Sequence, residues 1–421
     1  MQRYATLIPA AMAALTIALN AQTPTKVPRY TDEPMTNEWY VEQARLWQSQ
    51  TARTPDDAAA WFNYYRAVRY IGLTDPSIDG QRQRERVEQI AEAMERAVPN
   101  SFEYHYVRWL IGGNDRSLSH HLDRALELNP DFSELASDLI SYHELGGERE
   151  KVRMYAKKWY ETRAISPALL EYTYNVLASL EPNAVIFTNG DTDTYPIWLL
   201  QYARGIRPDV TVVNTSLVMM QEYREWLMSE FEIRGDGSLL NWDRLATMPA
   251  HEIQAEFIRS VATSTTERPV YTALTVDPRQ VKLIEKDLYL VGLANRYSPR
   301  RLDNIALLER AWARMHLDYL DGMPYEERYG FDRTWLPMIN MNYVTPALLL
   351  FEHCSTAART SEARVYRDLI LRLARAAGQE KELKAHLDAI EGETAALKSS
   401  KEETEVDIDL ELDADPAKRI D

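Results

Sequence analysis

Among its 421 residues the chain has a single cysteine, Cys354. No internal disulfide can form, so stability has to come from packing, and a thiol set among Leu349, Leu350, Phe351 and Ala357 reads as a buried, inert side chain. Glycine is sparse, and neither Gly-x-Gly-x-x-Gly nor Gly-x-x-x-x-Gly-Lys occurs, which removes the common fingerprints of dinucleotide and nucleoside-triphosphate sites. Basic charge is short as well: 48 Lys and Arg stand against 64 Asp and Glu, a net charge of −16. A nucleic-acid backbone or an anionic membrane surface would be repelled. The eight histidines include the neighbours His120 and His121 but no His-Glu-x-x-His or Cys/His cluster for zinc. A Gly-x-Ser-x-Gly elbow is also missing. The sequence therefore assigns no catalytic residue, no metal ligand and no cofactor.

The chain has one long apolar run, at its start. Arg3 precedes Ala5 to Leu19, and the segment ends Asn20-Ala21-Gln22. That run is shorter than the ~20 residues of a spanning helix, and a small residue stands before Gln22. The expectation is a signal peptide, 1–21, cleaved before Gln22, with an uncleaved anchor as the alternative and no lipid-accepting cysteine. An exported, periplasmic protein follows, peripheral to the outer membrane, with no transmembrane segment in the mature chain.

A chain of this length predicts two or three structural units. Residues 22–36, with three prolines and no helical period, read as an extended lead-in. From Asn37 helical patterns recur behind Pro55, Pro99, Pro130 and Pro167. Thr54 is expected to cap the second helix with Pro55 at its first position. Intervals of 44, 31 and 37 residues bracket the ~34 of tetratricopeptide repeats, and HLDRALELNPDFSELASDLISYHELG (121–146) fits best. Residues 37–180 are thus read as a tetratricopeptide-like helical array, with Trp61, Tyr64, Tyr65 and Tyr104 as candidate anchors for protein partners. For any one of those rings, core packing is the competing role.

Residues 181–300 read as α/β. Ala184 to Phe187 is an apolar run, Thr188 to Asp193 a polar turn, Tyr195 to Arg204 a helix closed by Gly205 and Pro208, and Val210 to Val213 a second apolar run. That is a βαβ crossover with buried parallel strands. Two more strands, in PVYTALTV (269–276) and LYLVGLANRYS (288–298), complete a small Rossmann-like parallel sheet of four. Residues 301–395 form a C-terminal helical region ending in a hairpin with its loop near Thr360. An acidic tail, 396–421, is expected to be disordered; Glu402 to Asp415 holds eight acids and no base. Val406, Ile408, Leu410 and Leu412 alternate with those acids, so the tail could also add as a strand to a partner.

The candidate ligand site is the turn after the first strand: Asn189, Gly190, Asp191 and Asp193, with Asn214 and Thr215 from the second strand. One reading is a pocket for a sugar, nucleotide or divalent cation. The other is architecture, with an aspartate capping the helix and Asn189 closing the turn. Asp-x-Asp alone is a weak cation signal, since a hard cation needs ~6 oxygen ligands.

AVIFTNGDTDTYPIWLLQ followed by GIRPDVTVVNTSL, and more weakly 269–276 and 288–299, resembles the soluble C-terminal region of a family of bacterial protein O-mannosyltransferase-like, glycosyltransferase-C type membrane proteins. The resemblance covers roughly the second half of the chain. In that family a many-helix membrane domain precedes this region and carries the glycosyl transfer. Here the region is expected without that domain and behind tetratricopeptide-like repeats. The function expected from these readings is an exported, non-catalytic scaffold or adaptor of an envelope protein complex. An accessory factor of envelope glycosylation, binding a carbohydrate or nucleotide sugar at 188–193, is the alternative, and a ligand-sensing module is a third.

Overall fold

The computed structural model describes residues 23–233, 238–264, 267–323, 326 and 328–413. Two compact units emerge. One comprises the described residues up to Pro28 and Met35–Ile111; the other comprises Arg29–Pro34 and the chain from Gly112 onward. The division falls inside the stretch read as one repeat array.

The first unit is helical: α1 (Asn37–Arg53), α2 (Ala58–Thr74), α3 (Gly80–Ala97) and α4 (Phe102–Gly112). Each start has a local cause. Thr36 accepts from Trp39 N at 3.3 Å, Asp57 from Ala60 N at 3.0 Å, and Asp79 from the N–H groups of Gln81 and Arg82. Thr54 is not the cap of α2; it ends α1, its N–H bonded to Gln50 O. Asp57 displaces it because its carboxylate reaches N3 after the turn that Pro55 begins. Helix α2 packs on α1 and α3 and is buried on nearly every side. The lead-in is tied to it: Val27 is fully buried, Val27 N donates to Asn63 Oδ1 at 2.7 Å, and Arg66 Nη1 donates to Val27 O at 3.2 Å.

Of the proposed partner anchors, Tyr64, Tyr65 and Tyr104 are buried, and only Trp61 is partly exposed, with Nε1 donating to Pro55 O. The three tyrosines are core side chains. The stripe of α2 is too wide for one face, so rings that look surplus in sequence find helical neighbours.

The second unit continues with α5 (Ser119–Leu128), α6 (Leu135–Leu145), α7 (Arg149–Glu161) and α8 (Pro167–Ala178), the last capped by Ser166 with Pro167 at its first turn. Then come β1 (Val185–Thr188), α9 (Asp191–Arg204), β2 (Thr211–Asn214), α10 (Gln221–Glu230), α11 (Trp242–Leu245), α12 (Ala250–Ser264), β3 (Val270–Ala273), α13 (Pro278–Val281), β4 (Leu288–Val291) and β5 (Ala294–Tyr297). Helices α14 (Asn304–Trp312), α15 (Gly330–Thr334), α16 (Leu336–Asn340), α17 (Val344–Thr356), α18 (Thr360–Ala376) and α19 (Glu380–Asp413) follow.

Among the described residues the sheet has five strands in the order β2-β1-β3-β5-β4. Strand β1 pairs in parallel with β2, Val185 opposite Thr211, and with β3, Val185 opposite Val270. Strand β5 is antiparallel to both β3 and β4. The sheet is therefore mixed, and the all-parallel, Rossmann-like reading is corrected. Residues 288–298 are not one strand but a hairpin. Gly292, at φ 66°, opens its two-residue turn, and Val291 faces Ala294. A parallel fourth strand would have needed a long crossover, and here the chain turns back at once.

All four residues of β1 are buried. Phe187 meets Phe257 of α12 edge-on, and α9 packs on α7 and α8. The expected C-terminal hairpin is α17 against α18, turning through Ala358 at φ 59°; Cys354 is buried within it, and burial pushes its thiol pKa up. Helix α19 runs through 396–413, where the sequence suggested disorder; extending a nucleated helix is easier than starting one. Residues 1–22 and 414–421, with the predicted signal peptide and the end of the acidic tail, lie outside the described residues.

Candidate functional site

Helix α9 begins at Asp191, four residues before the start expected at Tyr195. The early start is fixed by Asp193, the third residue of the first turn. Its carboxylate accepts from Asn189 N at 2.7 Å and Gly190 N at 2.8 Å, and the Thr275 hydroxyl donates to it as well. The bond to Gly190 N is the return half of a capping box, and the bond to Asn189 N ties down the residue before the cap. Pro196 lies inside the helix, and its missing N–H costs only one backbone bond. Asp193 is 3% exposed. Burial pushes its pKa above the ordinary 3.8, opposed by Thr275 and the two backbone donors.

The other candidates are bound into the same knot. Asn214 donates from Nδ2 to Thr194 Oγ1 at 3.0 Å, and its Oδ1 accepts from Ser216 N at 2.8 Å and Leu217 N at 3.2 Å. Thr215 N donates to Thr188 O at 2.8 Å, and the hydroxyls of Thr215 and Ser216 both donate to Asn189 O. Gln254 of α12 closes the far side on Thr215 O at 2.9 Å. Asn214 and Thr215 are buried. Asn189, Gly190, Asp193, Asn214 and Thr215 are thus brought together, and their polar groups point at one another.

Asp191 is different. Its side chain is 51% exposed and lies 4.0 Å from Arg29 Nη2. With Thr192 and Tyr195 it lines a cavity of about 260 Å³ over the start of α9, whose other walls include Trp159, Arg163 and Phe331. The two aspartates do not converge on a common cation. Among the described residues no group of three or more His, Cys, Asp or Glu is placed to hold a metal ion. The cavity draws on a segment that sequence reasoning left out, Arg29, Thr31 and Asp32 of the lead-in, which belongs to this same unit.

Arg207 was also missed. It bonds Leu177 O at 2.8 Å, Leu180 O at 2.9 Å and Glu181 O at 2.8 Å, and grips Asp209 with both Nε and Nη2. Asp209 in turn accepts from Asn183 N. Its pKa falls to about 2, chiefly through the Arg207 bonds. The Gly-Ile-Arg-Pro-Asp loop therefore clamps the entries to β1 and β2, and Gly205, at φ 67°, ends α9 in the left-handed conformation. Arginine followed two residues on by aspartate was the available signal.

The fold and this turn define a largely helical protein with a small mixed sheet and a tightly braced β1-α9 connection. Residues 169–232, from α8 through α10, match the family model described as TMEM260-associated domain 2. That match is consistent with a relationship to TMEM260 and O-mannosyltransferase-like proteins. None of the curated proteins matches the chain. Among the described residues no helix is long and apolar enough to cross a membrane.

Proposed function

We propose that the chain is an exported, non-catalytic adaptor of a bacterial envelope protein complex, working in the periplasm and related to the soluble region of O-mannosyltransferase-like proteins. The observation that supports this reading most is the inward use of the turn. Asp193, Asn214 and Thr215 stand where an α/β enzyme places its chemistry, yet their polar atoms hold the turn together. Cross-linking in intact envelopes, with partners identified by mass, should capture specific proteins, and intact mass should place the mature start near Gln22. Turnover of a nucleotide sugar or a glycan by the purified chain would overturn the adaptor reading.

A second reading, a carbohydrate or nucleotide-sugar-binding accessory factor, is favoured by the cavity beside the turn, with Asp191 and Thr192 in its wall. Thermal unfolding with free sugars and nucleotide sugars tests it. A melting temperature that none of them moves removes this reading.

A further inference from the structure

Two cavities of the larger unit share a wall. The one over α9 measures about 260 Å³, and the second, about 920 Å³, runs past Tyr160, Tyr174 and Tyr319. Trp159, Arg163, Ile165, Arg328 and Tyr329 line both, so the two cavities adjoin across these side chains, as the two steps of a trough. Its larger part falls within the ~300–1,000 Å³ of ordinary ligand sites.

The walls discriminate among ligands. A nucleotide sugar brings a diphosphate, which seeks open backbone N–H groups at a helix start. At α9 the N-cap N–H, that of Gly190, is already taken by Asp193, and at α8 Pro167 brings no N–H and Leu169 N is taken by Ser166 Oγ at 3.2 Å. The smaller cavity sets Arg29, Arg163 and Arg328 against Asp32, Glu134 and Asp191, so its formal charges cancel. A diphosphate meets no net positive charge there. A peptide added edge-on needs a strand, and no strand residue lines either cavity.

What the trough offers is aromatic surface beside charged hydrogen-bonding groups. Its rings are held in place. Arg204 Nη1 donates to Tyr160 OH at 2.8 Å, and Tyr174 packs against His316 with centroids 4.7 Å apart. Glu171 accepts from Asp318 N at 3.1 Å and Tyr319 N at 2.8 Å, fixing the loop that carries Tyr319. Tyr329 OH donates to Arg163 O at 3.1 Å. Pyranose rings suit such walls, with their C–H faces against aromatic rings and their hydroxyls to guanidinium and carboxylate groups. Preformed walls lower the ordering cost of binding.

We infer that the trough binds a neutral oligosaccharide, its terminal ring in the smaller cavity and the following rings along the larger one. The inference rests on the carbohydrate reading above and narrows it. The test is calorimetric titration of the full chain with linear neutral glucose, mannose and N-acetylglucosamine oligomers of one to four units, alongside UDP-glucose and GDP-mannose. Affinity for one series should rise by about tenfold from monomer to tetramer, the scale of one well-formed aromatic contact. Tyr319→Ala, at an exposed ring, and Tyr160→Ala should abolish that rise while leaving monomer binding unchanged. Length-independent binding, or preference for the nucleotide sugars, overturns the oligosaccharide inference and leaves the carbohydrate reading standing. Binding of no probe overturns both.

Discussion

Glu144 should make the larger unit lose stability as the pH rises from 4.5 to about 7, and Glu144→Gln should remove that loss. The residue lies in the last turn of α6, 5% exposed, where the helix end is partially negative. Burial pushes its pKa from 4.5 to about 7, with Arg149 opposing. Tyr202 and Tyr223 are raised by their own burial and by the charge of Glu144. In the unfolded chain this carboxyl titrates near 4.5, so between 4.5 and about 7 the folded protein keeps a proton that the unfolded chain has released. Raising the pH across that window favours unfolding. Below it both states are protonated and the penalty is absent; above it the penalty is complete. The gap from 4.5 to about 7 corresponds to about 3 kcal/mol. Urea unfolding of both proteins from pH 4.5 to 8 should show equal stability in acid and a variant more stable by up to about 3 kcal/mol at the alkaline end. His143, whose pKa is lowered by burial, is present in both and cancels in the difference. A difference that does not change with pH, or that grows toward acid, would refute the assignment.

Two further substitutions probe the bracing of the turn. Asp193→Ala orphans two backbone N–H groups and the Thr275 hydroxyl, and should cost about 3 kcal/mol in thermal unfolding. Because burial raises the pKa of Asp193 above 3.8, that loss should be largest in acid and shrink as the pH rises through the raised value. A loss under about 1 kcal/mol would reduce the carboxylate to an ordinary helix cap. Arg207→Ala should cost about 3 kcal/mol, and Arg207→Lys should recover less than half of it, since an ammonium cannot reach three carbonyls and Asp209 together. Full recovery by lysine in denaturant unfolding would mean that charge alone matters there.

The β1-α9-β2 unit was legible because its signals are local: an unbroken apolar strand, a polar turn, a helix closed by Gly205. The hairpin 288–298 was not, because its apolar first strand, LYLV, runs through Gly292-Leu293 into the second with no polar turn residue between them. Only the φ of 66° at Gly292 separates them, and a glycine in sequence does not declare its φ. Proline punctuation misled for a related reason. Pro55 and Pro99 sit in turns ahead of their helices, Pro130 does the same before α6, and only Pro167 takes a first helical position. Proline suits both places equally well. Burial of Tyr64, Tyr65 and Tyr104 depends on neighbouring helices that no local pattern names.

The candidate site was half legible, and the missing half is geometric. A helix turns by about 100° per residue, so two side chains two positions apart at its start point about 200° apart. Once α9 begins at Asp191 rather than Tyr195, Asp191 and Asp193 cannot share a ligand: one turns into the fold and the other into the cavity. The match over residues 169–232 contains the inward set, Asp193, Arg207 and Asn214, whose bonds maintain the turn and the strand entries. By contrast, the residues common to both cavities, Trp159, Arg163, Ile165, Arg328 and Tyr329, all lie outside that match. The matched stretch therefore does two things: its inward side chains brace the sheet, and Asp191, Thr192, Glu171 and Tyr174 supply part of the cavity walls that the segments around it complete.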